Sequence, residues 1–215
     1  MIDSEIVIID YGVGNLLSVQ RGLEFCGAKV TISSDPDLIL HANKIVLPGV
    51  GAFSNAMQAI IDRGLLSVIK KIPEKKIPLL GICLGMQMLM DESEEFGLTK
   101  GLGLIPGRVI PIPNKTIHGE YQKIPNVGWY SLNSSNSDAS WNNSILRYTN
   151  KDDAVYFVHS FMSVPINVDH KLAYCEYGGH EISAVIQKDN IIGCQFHPEK
   201  SGQVGLNILK AFLEL

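Results

Sequence analysis

The sequence predicts an α/β domain: a mostly parallel central sheet flanked by helices, with antiparallel additions in its second half. Three observations predict it. In the first half, short apolar runs alternate with stretches of helical periodicity. Glycine-bearing turns close several of those runs, as strand-to-helix turns do. In the second half, strand-length patterns follow one another closely with few helical stretches between them. At 215 residues, the chain fits one domain spanning 1–215 better than two.

The elements follow in order. Glu5 to Asp10 reads as a buried strand, followed by the loop Tyr11-Gly-Val-Gly-Asn15. Leu16, Val19, Leu23 and Cys26 have helical spacing, and Gly27 ends that helix as a C-terminal glycine does. Ala28 to Ile32 and Lys44 to Leu47 are the next strands, the latter closed by Pro48-Gly-Val-Gly51. A helix is expected over Asn55 to Lys71, a strand over Ile77 to Ile82, and a further helix from Met86 to Glu92. Later strand patterns cover Arg108 to Pro113, Val127 to Leu132, Ala154 to Val158, Lys171 to Glu176, Ile182 to Gln187 and Ile191 to Gln195. Asp189-Asn190 suits a tight hairpin turn between the last two. The polar stretch Ser131 to Asn143 reads as a surface excursion, and Gly202 to Leu215 as a closing helix.

Composition narrows the function. The net charge of −4 gives no electrostatic case for nucleic acid. The amino terminus lacks a basic region and its apolar run is only Ile6 to Ile9, which disfavours a secretory signal. No stretch approaches the ~20 apolar residues of a membrane span. Cys26, Cys83, Cys175 and Cys194 are widely separated, which suits reduced thiols in the cytoplasm. No Cys/His cluster has zinc spacing, so no metal is expected, and no cofactor. Gly12-Val-Gly14 follows a strand, but Leu17 stands where a dinucleotide fingerprint needs its third glycine.

The sharpest local signal is Leu80-Gly-Ile-Cys-Leu-Gly-Met-Gln87. A strand runs into a glycine-flanked cysteine and a helix begins just after it, the form of a nucleophile elbow with sulfur in place of oxygen. Gly81 and Gly85 permit a strained, close-packed turn. The helix terminus beyond Cys83 favours the thiolate, and the Leu84 N–H would face an oxyanion formed at the attacked carbonyl. A cysteine at a strand end is usually inert core, but this context reverses that reading. Gln195-Phe-His-Pro-Glu199 supplies a base and a carboxylate two residues apart, on one face of an extended segment. Glu199 would orient the His197 imidazole, leaving its other nitrogen for Cys83. A His-Pro-Glu tripeptide alone is weak; the pairing with the elbow makes a triad. The backbone N–H groups of Gly49 and Val50, at the same sheet edge, are candidates for the second oxyanion donor.

Pro48-Gly-Val-Gly-Ala-Phe53, Gly81-Ile-Cys-Leu-Gly-Met-Gln87 and Phe196-His-Pro-Glu-Lys-Ser201 resemble the class I (triad) glutamine amidotransferases, whose fold is flavodoxin-like. More narrowly, Asp10-Tyr-Gly-Val-Gly-Asn15, Tyr156-Phe-Val-His-Ser160 and Gly128-Trp129 resemble the glutaminase subunits of imidazole glycerol phosphate synthases. The resemblance implies a cytoplasmic glutaminase that hydrolyses L-glutamine with Cys83, His197 and Glu199. It implies glutamine contacts at Gln87, Glu95, Ser160 and Phe161. It also implies a heterodimer with a (β/α)8-barrel synthase subunit, met through Gly12, Asn15, Trp129 and Tyr130, in histidine biosynthesis. Tyr130 and Phe161-Met162 depart from that branch, where asparagine and two tyrosines are expected. The departures keep open a paralogue supplying ammonia for amino- or amidino-sugars of surface polysaccharides. A stand-alone γ-glutamyl hydrolase or cysteine peptidase using the same Cys83, His197 and Glu199 is a further alternative, and competent residues at all three positions argue against a non-enzymatic docking module.

Overall fold

The computed structural model describes residues 5–135 and 141–215. In chain order the first half contains β1 (Glu5–Ile9), α1 (Leu16–Phe25), β2 (Lys29–Ser33), α2 (Pro36–His41), β3 (Lys44–Gly49), α3 (Phe53–Asp62), α4 (Leu66–Ile69), β4 (Leu79–Cys83) and α5 (Leu84–Met88). Two short strands follow, β5 (Glu92–Ser93) and β6 (Thr99–Lys100), then β7 (Gly107–Pro111), β8 (Asn126–Ser131) and β9 (Asn133–Ser134). The chain closes with β10 (Ala154–His159), β11 (Phe161–Pro165), β12 (Lys171–Tyr177), β13 (His180–Lys188), β14 (Ile191–Cys194) and α6 (Gly202–Leu213).

The central sheet is eight-stranded, in the order β2-β1-β3-β4-β14-β13-β12-β9. From β2 to β14 every neighbouring pair is parallel, and from β14 to β9 every pair is antiparallel. The mixed sheet expected from the sequence is therefore present, with β14 at the junction of its two halves. Strand alternation sorts the core. Ile6 and Ile8 of β1 pack with Val19 and Leu23 of α1 and Ile208 and Phe212 of α6. Val7 and Ile9 turn to the other face, against Ile39 of α2, Phe53 and Ile60 of α3 and Met86 of α5. Met86, Met88 and Met90 are all fully buried there.

Some boundaries differ from the sequence expectation, each for a local reason. The helix expected over 55–71 is two helices, because Arg63-Gly64 interrupts it with Gly64 at φ +68°. The short helix α2 was not expected, although Asp35 accepts from Asp37 N at 2.8 Å and Pro36 occupies the first turn. Within the polar stretch 131–143, residues 136–140 lie outside the described residues. Its flanks are less peripheral than a surface excursion: β9 joins the sheet edge and Trp141 is buried. The Asp189-Asn190 turn does close a hairpin, with Lys188 opposite Ile191 and Asp189 at φ +52°. Among the described residues no helix is long and apolar enough to cross a membrane.

Candidate active site

The site lies at the carboxyl edge of β3, β4 and β14. Gly49, the last residue of β3, is in register with Cys83, the last residue of β4. Cys83 sits at φ 55° and ψ −111°, a conformation costly for any residue with a β-carbon. Two glycines make the turn possible. A β-carbon on Gly85 would stand 1.8 Å from the Leu47 carbonyl oxygen, and one on Gly81 2.8 Å from the Gly85 backbone. Helix α5 starts at Leu84, directly after the cysteine, so the Leu84 N–H is among those with no acceptor inside the helix.

Tyr11 braces the neighbouring strand end. Its buried hydroxyl donates to Pro48 O at 2.7 Å, and a β-carbon on Gly49 would collide with it. Burial, then the charge of nearby Cys83, push the phenol pKa well up, which keeps it a donor. Val50 reaches the pocket wall, whereas Gly49 lines a separate small cavity beside Asn15, His197 and Glu199.

His197 follows β14. Its N–H donates to Tyr156 O at 3.0 Å, and its carbonyl accepts from the Ser201 hydroxyl at 2.7 Å. Residues Pro198–Lys200 then form a 3-10 turn rather than the extended segment expected. Proline's fixed φ suits the first position of such a turn. The turn returns Glu199 to the ring: Oε1 lies 2.8 Å from His197 Nδ1, with side chains only 5% and 1% exposed. The other carboxylate oxygen, Oε2, is buried with no hydrogen-bond partner among the described residues. Burial disfavours the charged imidazole, but hydrogen bonding to Cys83 and Glu199, and their charges, hold its pKa at about 9.

A pocket of about 390 Å³ opens over these groups, lined by Cys83, Leu84, His197, Gln87, Glu95, Ser160 and Phe161 among others. Glu95 anchors itself by accepting from Phe53 N at 2.6 Å through Oε2. Gln87 gives its amide hydrogens to Phe161 O and Gln195 Oε1, both at 3.0 Å, so its own oxygen is what remains to meet a ligand. Two further buried groups were not singled out in the sequence. Gln195 donates to the Cys83 sulfur across 3.8 Å. His159 lies between Phe161 O (2.8 Å) and the Asn126 amide (3.3 Å). Burial pulls the His159 pKa down to about 4, against the bond to Phe161.

The four residues assigned to a partner face separate. Gly12 and Asn15 are exposed in the loop after β1, and Trp129 is 54% exposed beside Tyr156, with ring centroids 6.0 Å apart. Tyr130 alternates onto the inner face of β8, edge-on to Phe157 and Tyr177. Its phenol is half-buried in the core rather than presented outward.

Residues 7–215 match the model of the family described as glutamine amidotransferase class-I. The chain belongs to this family. Among curated relatives of this amidotransferase, imidazole glycerol phosphate synthase subunit HisH 1 of Legionella pneumophila (strain Lens) is 47% identical, covering 99% of this chain and 100% of its own. The HisH subunit of Methanosarcina acetivorans is 47% identical and that of Lactococcus lactis 44%, each covering 98% of both chains. Among solved structures, PurLQS from Thermotoga maritima superposes with a TM-score of 0.73 at 20% identity, over 99% of this chain and 98% of that one. A crystal structure titled glutamine amidotransferase gives 0.71 at 15% identity, over 97% of both chains. These structures establish the amidotransferase fold.

Proposed function

We propose that this amidotransferase is the glutaminase subunit of an imidazole glycerol phosphate synthase. It hydrolyses L-glutamine in the cytoplasm, with residues 1–215 acting as one domain, and passes ammonia to a (β/α)8-barrel synthase subunit. The full-length HisH relatives support the histidine branch over a polysaccharide paralogue. One observation carries the chemistry: Cys83, on a strained strand-to-helix turn, shares a pocket with an imidazole whose far nitrogen is held by a buried carboxylate.

The Cys83 sulfur attacks the substrate carboxamide carbon while the carbonyl π electrons move onto oxygen. The Leu84 N–H, with Gly49 or Val50, stabilises that oxyanion. His197, charged by the thiol proton, hands it to the departing nitrogen, and the C–N bond breaks to leave a glutamyl thioester. Water then attacks, His197 takes its proton, the C–S bond breaks and glutamate leaves. Glu95 Oε1 and Gln87 Oε1 offer acceptors to the substrate ammonium, and Ser160 and Phe161 line the same pocket. Gly12, Asn15 and Trp129 form the face that meets the synthase.

Cys83→Ala removes the nucleophile and leaves the close-packed glycines untouched. It is expected to abolish glutamate release, with or without a barrel synthase subunit, while the thermal melt stays within a few degrees of the parent. Glutamate release at the parent rate would end this reading.

A further inference from the structure

Gln195 is a fully buried polar side chain in contact with the nucleophile, and the steps above give it no task. We propose that Gln195 is the hydrogen-bond donor that holds and stabilises the Cys83 sulfur as a thiolate, its orientation dictated from the Phe161 carbonyl through Gln87. This rests on Cys83 being the nucleophile.

The polarity of the relay follows from one atom. A carbonyl oxygen only accepts, so the Gln87 group facing Phe161 O at 3.0 Å is the amide nitrogen. The second hydrogen of that nitrogen goes to Gln195 Oε1, also at 3.0 Å. With its oxygen committed to Gln87, Gln195 presents its NH₂ group to the Cys83 sulfur, 3.8 Å away. His159 Nδ1 donates to the same Phe161 carbonyl at 2.8 Å, filling its second lone pair and fixing the start of the chain. A flipped Gln87 would set oxygen against oxygen, and a flipped Gln195 would set its NH₂ group against that of Gln87.

The sulfur needs such a donor. Cys83 is 7% exposed, so water solvates it poorly, and the Val158 carbonyl oxygen lies 4.0 Å away. That oxygen accepts from a thiol but repels a thiolate. Gln195 offsets this from another side and again when the thioester C–S bond breaks, as the bonding pair returns to sulfur.

The test uses Gln195→Met, which keeps length and loses the donor, and Gln195→Glu, which keeps shape and swaps donor for acceptor. Alkylation of Cys83 by iodoacetamide across pH, read by mass of the modified peptide, needs no glutaminase activity. The midpoint is expected to rise by roughly one pH unit in Q195M and further in Q195E. With glutamine and a barrel partner, kcat should fall about tenfold or more while KM stays within about twofold. A folded Q195M whose alkylation profile overlays the parent's overturns the proposal, even where Cys83→Ala is inactive. A shifted profile beside an active Cys83→Ala keeps the Gln195 contact and overturns the nucleophile assignment instead. Should neither variant fold, the side-chain amide proton resonances of the unaltered protein decide. Movement of the assigned Gln195 pair on Cys83 alkylation supports the contact; an unmoved Gln195 pair overturns it.

Discussion

His197 Nδ1 and Glu199 Oε1 stand 2.8 Å apart within one turn, both side chains almost wholly removed from water. The ring's pKa of about 9 lies above its ordinary 6.5, so the imidazole stays protonated through neutral pH. Glu199→Gln keeps the acceptor and removes the charge. The alkaline limb of kcat/KM, expected near pH 9 in the parent, should move down in this variant, and kcat should fall roughly tenfold to a hundredfold. An unmoved alkaline limb would mean the carboxylate does not tune the ring. The same raised pKa has a stability consequence: His197 contributes fully below pH 6.5, and the contribution is lost as pH rises through 9.

His159 has the opposite sign. Its folded pKa of about 4 lies below 6.5, so the unfolded chain takes up a proton before the fold does. Stability from the neutral ring is present above pH 6.5 and is lost as pH falls towards 4, on the order of 3 kcal/mol in all. Urea midpoints between pH 7 and 4.5 should therefore decline. His159→Gln, which does not titrate, should flatten that decline; equal slopes in both proteins would exclude His159 as its source.

Glu95 uses one carboxylate oxygen on the Phe53 N–H and leaves the other for the pocket. Glu95→Gln can retain the first contact through its carbonyl while losing the charge. KM for glutamine should rise roughly tenfold to a hundredfold with kcat little changed, the range expected for a hydrogen bond to a charged group. Steady-state kinetics check this, and an unchanged KM would remove Glu95 from substrate binding.

Gly85 has no room for a methyl group, since the obstructing atom is the backbone oxygen of Leu47 rather than a movable side chain. Gly85→Ala should cost about 3 kcal/mol or more, or prevent folding outright. Differential scanning calorimetry reads this directly. A melt matching the parent's would show that β3 and α5 are less closely packed than described.

Much of this was legible because its signals are local. The cysteine elbow needs glycines at fixed offsets, and the strands of the first half announce themselves through runs such as Ile6 to Ile9 and Ile45 to Leu47. What was missed depends on distance. Phe161–Pro165 forms β11 by pairing with Gly107–Pro111, a partner no local pattern names. Gln195 matters through Gln87 and Cys83, each more than a hundred residues earlier in the chain. Tyr130 stands where an asparagine of the partner face is expected, yet its ring packs edge-on to Phe157 and Tyr177, a placement that only the strand pairing reveals. Helix α2 left an unused local signal, the Asp35-Pro36 start.

The position of β14 between β4 and β13 has a consequence for synthesis. A nascent chain holds its sulfur at residue 83 long before the imidazole base at residue 197 leaves the ribosome. Until then β4 keeps an open, apolar flank, the sort of surface that invites aggregation. Insertion of one late, four-residue strand both covers that flank and delivers the base, so residues 83 and 197 come together only in a chain whose sheet has closed.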